Sequence, residues 1–190
     1  MNCTGTDTEL LEQTQQDKDA FLCLVERYEK KLLRYIQRIS YFSSEESEEI
    51  LQEGFFKAFQ NLHSFDPDIS SFNSWIYRII HNETINQIRK KQSRPLLLSL
   101  FQKQDDSDDE EMIEIPDDFD LEKEFEQKEK QIYIRKLIQK LSEKYKTILV
   151  LKFLEEKSYE EISDILKIPQ GSVATRINRA KSKLKELIQK

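Results

Sequence analysis

Phe21, Leu24, Val25, Tyr28, Leu32, Tyr35, Ile36 and Ile39 return at three- and four-residue steps, the spacing that gathers side chains on one stripe of a helix. This predicts a first long helix from about Asp17, a good N-cap, to about Ile39. Ser43 or Ser44 caps a second helix, with Ile50, Leu51, Phe55, Phe56, Phe59 and Leu62 as its apolar positions. Glu45, Glu46, Glu48 and Glu49 in its opening turns complement the helix dipole. His63 to Ser71 holds Phe65, Asp66-Pro67 and a serine pair, and reads as a loop followed by a cap. A third helix then runs from Phe72 to about Gln92 and is ended by Pro95. Its Phe72, Trp75, Ile76, Ile79, Ile80, Ile85 and Ile88 point to a core, and its last turns expose Asn82, Asn86, Arg89, Lys90 and Lys91. Trp75, flanked by isoleucines, belongs to that core, and His81 reads as a surface or hydrogen-bonded histidine.

Periodicity fades after Ser93 and returns at Ile132, Ile134, Leu137, Ile138 and Leu141. Ser142 caps the next helix, with Tyr145, Ile148, Leu149, Phe153 and Leu154 as its apolar face. Ser158-Tyr159-Glu160-Glu161 is a capping box opening a short helix with Ile162, Ile165 and Leu166 inward. The chain turns through Ile168-Pro169-Gln170-Gly171 into a final helix that reaches about Gln189. With only 3 Gly and 4 Pro against abundant Leu, Ile, Glu, Lys and Gln, the expected fold class is all-α.

Charge divides the chain into parts. From Asp105 to Glu129 the acids are opposed only by Lys123 and Lys128, and such a stretch cannot bury enough apolar surface to offset its ordering entropy. The expected organisation is a polar N-terminal tail over 1–16, a small helical domain over 17–94, an acidic flexible linker over 95–127, and a second small helical domain over 128–190. Extended, the linker reaches on the order of 110 Å. It serves either as a solvated spacer or as a mimic of nucleic-acid charge. The formal net charge of -6 therefore misleads, because the positive charge gathers at Arg89, Lys90, Lys91 and Arg94 and again at Arg176, Arg179, Lys181, Lys183 and Lys185.

Rotating about 100° per residue along the last helix puts Val173, Ile177, Ala180, Leu184 and Leu187 or Ile188 on its buried side. Opposite lie Thr175, Asn178, Arg179 and Ser182, donors and acceptors suited to base edges in a major groove, with Arg176, Lys181 and Lys183 on the flanks where phosphates run. A short helix, a tight turn and this helix make a helix-turn-helix.

That segment, from Ser158-Tyr159-Glu160-Glu161-Ile162 through Pro169-Gln170-Gly171-Ser172-Val173-Ala174-Thr175-Arg176-Ile177-Asn178-Arg179-Ala180-Lys181, resembles the C-terminal domain of bacterial RNA polymerase sigma factors of the extracytoplasmic-function (ECF) group. Glu49-Ile50-Leu51-Gln52-Glu53-Gly54-Phe55-Phe56 resembles the group's polymerase-binding helix, and Phe72-Asn73-Ser74-Trp75-Ile76-Tyr77-Arg78 through Asn82, with Asn86 and Arg89, resembles its promoter-melting helix. The resemblance implies an alternative sigma factor that docks on core RNA polymerase through Glu49, Gln52, Glu53 and Phe56. It implies contact with the -10 element by Phe65, Ser71, Asn82, Asn86, Arg89 and Lys90, and with the -35 element by Thr175, Arg176, Asn178, Arg179, Lys181, Ser182 and Lys183. It also implies an anti-sigma protein as a further partner. Gly54 departs from the pattern: mid-helix it costs ~1 kcal/mol in helix propensity, so a less rigid docking surface is expected there.

No phosphate-binding glycine loop, nucleophile constellation or metal cluster points to an enzyme, and no metal or cofactor is expected. Cys3 and Cys23, with His63 and His81, do not suggest a zinc site and fit a reducing cytosol. With no run apolar enough to enter a bilayer and no signal-like segment, a cytoplasmic protein without membrane insertion is expected. The rival reading, an operator-binding regulator that works without polymerase, would need a dimerisation or effector surface for which no third domain is visible.

Overall fold

Several helices start where a side chain satisfies their first amides. A computed structural model describes residues 3–93, 133–134 and 136–189, and the expected 95–127 linker lies outside them. The described helices are α1 (Asp7–Gln16), α2 (Phe21–Ile39), α3 (Ser44–Gln60), α4 (Phe72–Ser93), α5 (Glu143–Phe153), α6 (Tyr159–Leu166) and α7 (Gln170–Ile188), with short 3-10 turns at Lys18–Ala20 and Leu62–Ser64. Among the described residues there is no strand, as an all-α fold requires. Ser43 with Glu46, and Ser158 with Glu161, close the capping boxes that begin α3 and α6. Ser71 Oγ accepts from the Ser74 amide at 3.2 Å and starts α4. Asp17 caps the 3-10 turn, so α2 proper begins four residues after it.

The segment read as a polar tail is a helix. A capping box of Thr6 and Glu9 opens α1, and Leu10 is fully buried. Arg27 of α2 anchors it by donating to Asp7 at 2.6 Å and to the Gly5 carbonyl at 2.7 Å, while the Tyr28 hydroxyl also donates to Asp7. Packing α1 on α2 brings Cys3 to the first turn of α2, where it forms a disulfide with Cys23. The expectation of two separate thiols is thereby corrected. Twenty residues separate the two cysteines, and only the tertiary fold makes them neighbours.

Helices α2, α3 and α4 share one core. Leu24, Leu32, Tyr35 and Ile36 of α2 and Ile76 and Ile80 of α4 are wholly withdrawn from solvent. Phe65 and Phe72 meet edge to face with centroids 5.7 Å apart, and Trp75 packs on both. Trp75 is thus a core residue, as its flanks indicated. Gly54 of α3 faces Ile80 of α4: a Cβ there would stand 2.2 Å from Ile80 Cδ1. What looked like a flaw in helix propensity leaves room for the Ile80 side chain where the two helices pack. Three aromatic positions assigned to apolar faces lie outward instead: Phe56 is 55% exposed, Phe59 36% and Phe153 49%.

In the C-terminal half, Ile148, Leu149 and Leu151 of α5, Ile162 and Ile165 of α6, and Val173, Ile177 and Ala180 of α7 form the core. Lys167 ends α6 in the left-handed region at φ 50, donating its amide to Ser163. The chain re-enters helix one residue beyond Pro169. The two halves also touch. α6 lies along α4 and α5 against α2, and the buried cluster continues across the junction.

Two outcomes follow for stability. Gly54→Ala gains about 1 kcal/mol of helix propensity but loses about 2 kcal/mol to overpacking against Ile80. The net is a destabilised protein, and adding Ile80→Val should recover more than 0.5 kcal/mol of it in a double-mutant cycle. Urea denaturation of the four proteins measures this, and additive losses would contradict the close crossing. His81 Nδ1 lies 3.0 Å from the Tyr35 hydroxyl, and burial, aided by Arg89, pushes its pKa down from 6.5 to about 4. Folding therefore favours the neutral ring. That stability is present above pH 6.5 and drains away as pH falls from 6.5 toward 4. Urea midpoints at pH 7 and pH 5 should converge in His81→Gln relative to the parent.

Candidate nucleic-acid and polymerase interface

Glu49, Gln52, Glu53 and Phe56 occupy successive turns of α3, and all four side chains are exposed. The crossing at Gly54 turns the opposite side of α3, Ile50, Leu51, Phe55 and Ala58, into the core. Lys57 fastens this strip to α4, reaching Glu53 at 3.2 Å and Glu83 at 2.5 Å. Glu83 is only 3% exposed. Burial pushes its carboxyl up, but hydrogen bonds from Lys57 and Gln87 outweigh that and hold it below the usual carboxylate range. A buried anion with two donors makes a rigid cross-link. Sequence reading missed it, because nothing in the α4 pattern marks Glu83 as inward except its place one turn after Ile80 and two after Ile76.

On α4, Asn82, Asn86, Arg89 and Lys90 are exposed along the last three turns. Phe65 and Ser71 lie at the other end, where the loop enters the helix. Phe65 is half-buried against Phe72 and Trp75, and Ser71 is committed to its capping bond. The structure therefore separates the six expected -10 residues into a basic end and a loop end. Leu62, His63, Phe65 and Pro67 of the loop, with Thr8 and Leu11 of α1, line an open groove of about 520 Å³. α1 was not expected to take part.

The recognition helix is as the 3.6-residue rotation put it. Val173, Ile177 and Ala180 are buried, and Leu187 rather than Ile188 continues the stripe. Thr175, Asn178, Arg179 and Ser182 are exposed. The Thr175 and Ser182 hydroxyls donate to the carbonyls of Gly171 and Asn178, which leaves their lone pairs outward as acceptors. Lys181 lies 4.9 Å above the Phe153 ring, and Lys183 pairs with Glu186 at 2.8 Å. Phe153 thus supports a lysine at the surface. Thr175, Arg176 and Arg179 converge with Lys144 of α5 on a cleft of about 390 Å³ at the start of α7. Lys144 was missed, since it carries no periodic signal and its place beside α7 is a product of the fold.

Among the described residues, no His, Cys, Asp and Glu group has metal-site geometry, and no helix is long and apolar enough to cross a membrane.

Residues 24–94 match the family model described as Sigma-70 region 2, and residues 131–184 match Sigma-70 region 4. The chain is 35% identical over 182 residues to the ECF RNA polymerase sigma factor SigW of Bacillus subtilis, covering 90% of this chain and 89% of that protein. It is 33% identical over 189 residues to the ECF RNA polymerase sigma-E factor of Haemophilus influenzae, covering 97% and 96%. In fold it is similar to CnrH, solved in complex with the cytosolic domain of CnrY, with a TM-score of 0.67, 21% identity and coverage of 96% and 97%. It is likewise similar to RpoE of Bartonella quintana, solved with the anti-sigma factor NepR, with a TM-score of 0.61, 21% identity and coverage of 90% and 98%. With two family regions in order, on helices that present an acidic strip, a basic helix end and a helix-turn-helix, the chain belongs to the ECF RNA polymerase sigma factors and directs promoter-specific transcription initiation.

Proposed function

We propose that three separate faces divide the work of initiation. Glu49, Gln52, Glu53 and Phe56 dock on core polymerase, with Phe56 as the apolar anchor and the acids supplying charge complementarity. The observation that carries this assignment is that a large aromatic stands 55% exposed beside three exposed polar side chains on one helix face. Asn82, Asn86, Arg89 and Lys90 track the -10 strand, while the Phe65 to Ser71 loop meets its bases. Melting costs unstacking energy, which contacts to the released strand offset. Thr175, Asn178, Arg179 and Ser182 read the -35 element, and Arg176, Lys181 and Lys183 neutralise its phosphates.

The chain acts in the cytoplasm without chemistry of its own. An anti-sigma protein restrains it; support comes from the Bartonella neighbour, which was solved with one.

Two experiments test these assignments. Phe56→Ala should weaken binding to core polymerase by about 2 kcal/mol, as expected for a central aromatic anchor, and Gln52→Ala by less. Unchanged affinity in a fluorescence titration of Phe56→Ala would remove the docking assignment. In a salt-titrated promoter-binding assay with core polymerase, Arg179→Ala should flatten discrimination between promoter and mutated -35 sequences by about 1–3 kcal/mol. Lys183→Ala should weaken both equally and reduce the salt slope by about 1. Identical behaviour of the two variants would contradict the division between base and phosphate contacts.

A further inference from the structure

Cys3 and Cys23 are the two cysteines of the chain, and the fold joins them in a disulfide. The two ends of this link differ in access. Cys3 lies half-buried in the segment before α1, while Cys23, in the first turn of α2, is only 3% exposed. What the link fastens is α1. That helix is ten residues long, too short to hold itself together in water, and Leu10 is its one apolar side chain wholly withdrawn from solvent. Its other anchors are the bonds from Arg27 and Tyr28 to Asp7 and from Arg27 to the Gly5 carbonyl.

α1 in turn supplies one side of the groove beside the loop that follows α3, where Thr8 and Leu11 join Leu62, Phe65 and Pro67 as its lining. The disulfide is not needed to hold a small core together. α2, α3 and α4 close around an extensive apolar core of their own, from Leu24 to Ile80, whereas disulfides kept for stability belong to small secreted domains with too little core. In a cytoplasm whose thiol pool keeps cysteines reduced, the disulfides that do form are mostly transient and redox-sensing.

We propose that Cys3 and Cys23 form a reversible thiol–disulfide site, oxidised by a low-molecular-weight disulfide of the glutathione class, whose closure fixes α1 against the loop that meets the -10 bases. This inference rests on the cytoplasmic reading and on the assignment of the Phe65 to Ser71 loop to the -10 element. Cys3, the accessible partner, reacts first. Its thiolate displaces one glutathione thiolate from oxidised glutathione and forms a mixed disulfide; the Cys23 thiolate then attacks Cys3 Sγ and expels the second. Two protein thiols lose two electrons and become one disulfide, oxidised glutathione becomes two thiols, and the two protons pass to them. In the reduced chain α1 frays as short polar helices do. In the oxidised chain its ordering is complete before DNA arrives, and so does not weaken binding.

The test uses the full chain, alone and bound to core RNA polymerase, equilibrated in reduced or oxidised glutathione. After N-ethylmaleimide treatment, the intact mass should show both cysteines labelled in the reduced chain and neither in the oxidised chain, and both again once reducing conditions return. Hydrogen exchange of the α1 amides should slow about tenfold or more on oxidation. The oxidised holoenzyme should bind a promoter fragment with an intact -10 element about fivefold or more tightly than the reduced one. Cys3→Ser and Cys23→Ser should match the reduced parent in exchange and affinity, and neither should respond to the buffer. Full labelling in oxidised glutathione, a link that reduced glutathione cannot reopen, equal α1 exchange in the two forms, equal promoter affinity, or a redox response that persists in Cys3→Ser would each overturn the site. Failure of the loop assignment is seen separately: Phe65→Ala in the oxidised chain would then discriminate -10 sequences as the parent does, with labelling and exchange unaltered. Fractionation of the chain away from the cytoplasm would strike the cytoplasmic reading and leave all three measurements as they stand.

Discussion

The crossing of α3 and α4 at Gly54 is the constraint on which the N-terminal half depends. Because no Cβ intervenes before Ile80, the two helices approach closely enough for Lys57 of one to reach the buried carboxylate of Glu83 on the other. That approach puts the exposed acidic strip of α3 and the basic end of α4 on one rigid body. A Cβ at this position would press on the end of the buried Ile80 side chain. The loss of helix propensity at a mid-helix glycine is small beside the packing it permits.

Charge is then handled in two ways. At the surface it is segregated, with acids on α3 and cations at the end of α4 and along α7, so that each face offers one sign to its partner. At the junction between the halves it is paired and withdrawn from water. Burying Glu155 and Lys157 adds little to stability but specifies one arrangement, since Arg38, Tyr77 and Asn73 of the N-terminal half supply partners to them. The left-handed Glu156 holds both in place at a cost in backbone energy.

Much of the fold is legible along the chain because helices are local. Apolar spacing locates α2, α3, α4, α6 and α7, and the capping boxes at Ser43 and Ser158 fix two of their starts. The recognition face is equally legible, since the same rotation that buries Val173, Ile177 and Ala180 exposes Asn178 and Arg179. α1 escaped because its sequence is polar and only Leu10 is fully buried. Its capping box, Thr6 with Glu9, was the available signal. The outward turn of Phe56 and Phe153 could not be read from hydrophobicity, which does not distinguish a core ring from one that supports a lysine or awaits a partner.

The sequence alone determined the helices after α1, their buried stripes, the segregation of charge and, through its motifs, the family. Each follows from residues within a few turns of one another, where the 3.6-residue period governs. Only the tertiary structure decided that Gly54 is a contact point, that Cys3 meets Cys23, that Lys144 joins the recognition helix and that Arg38 finds Glu155 across the two halves. These pairings join residues distant along the chain, and helix packing, not local periodicity, brings them together.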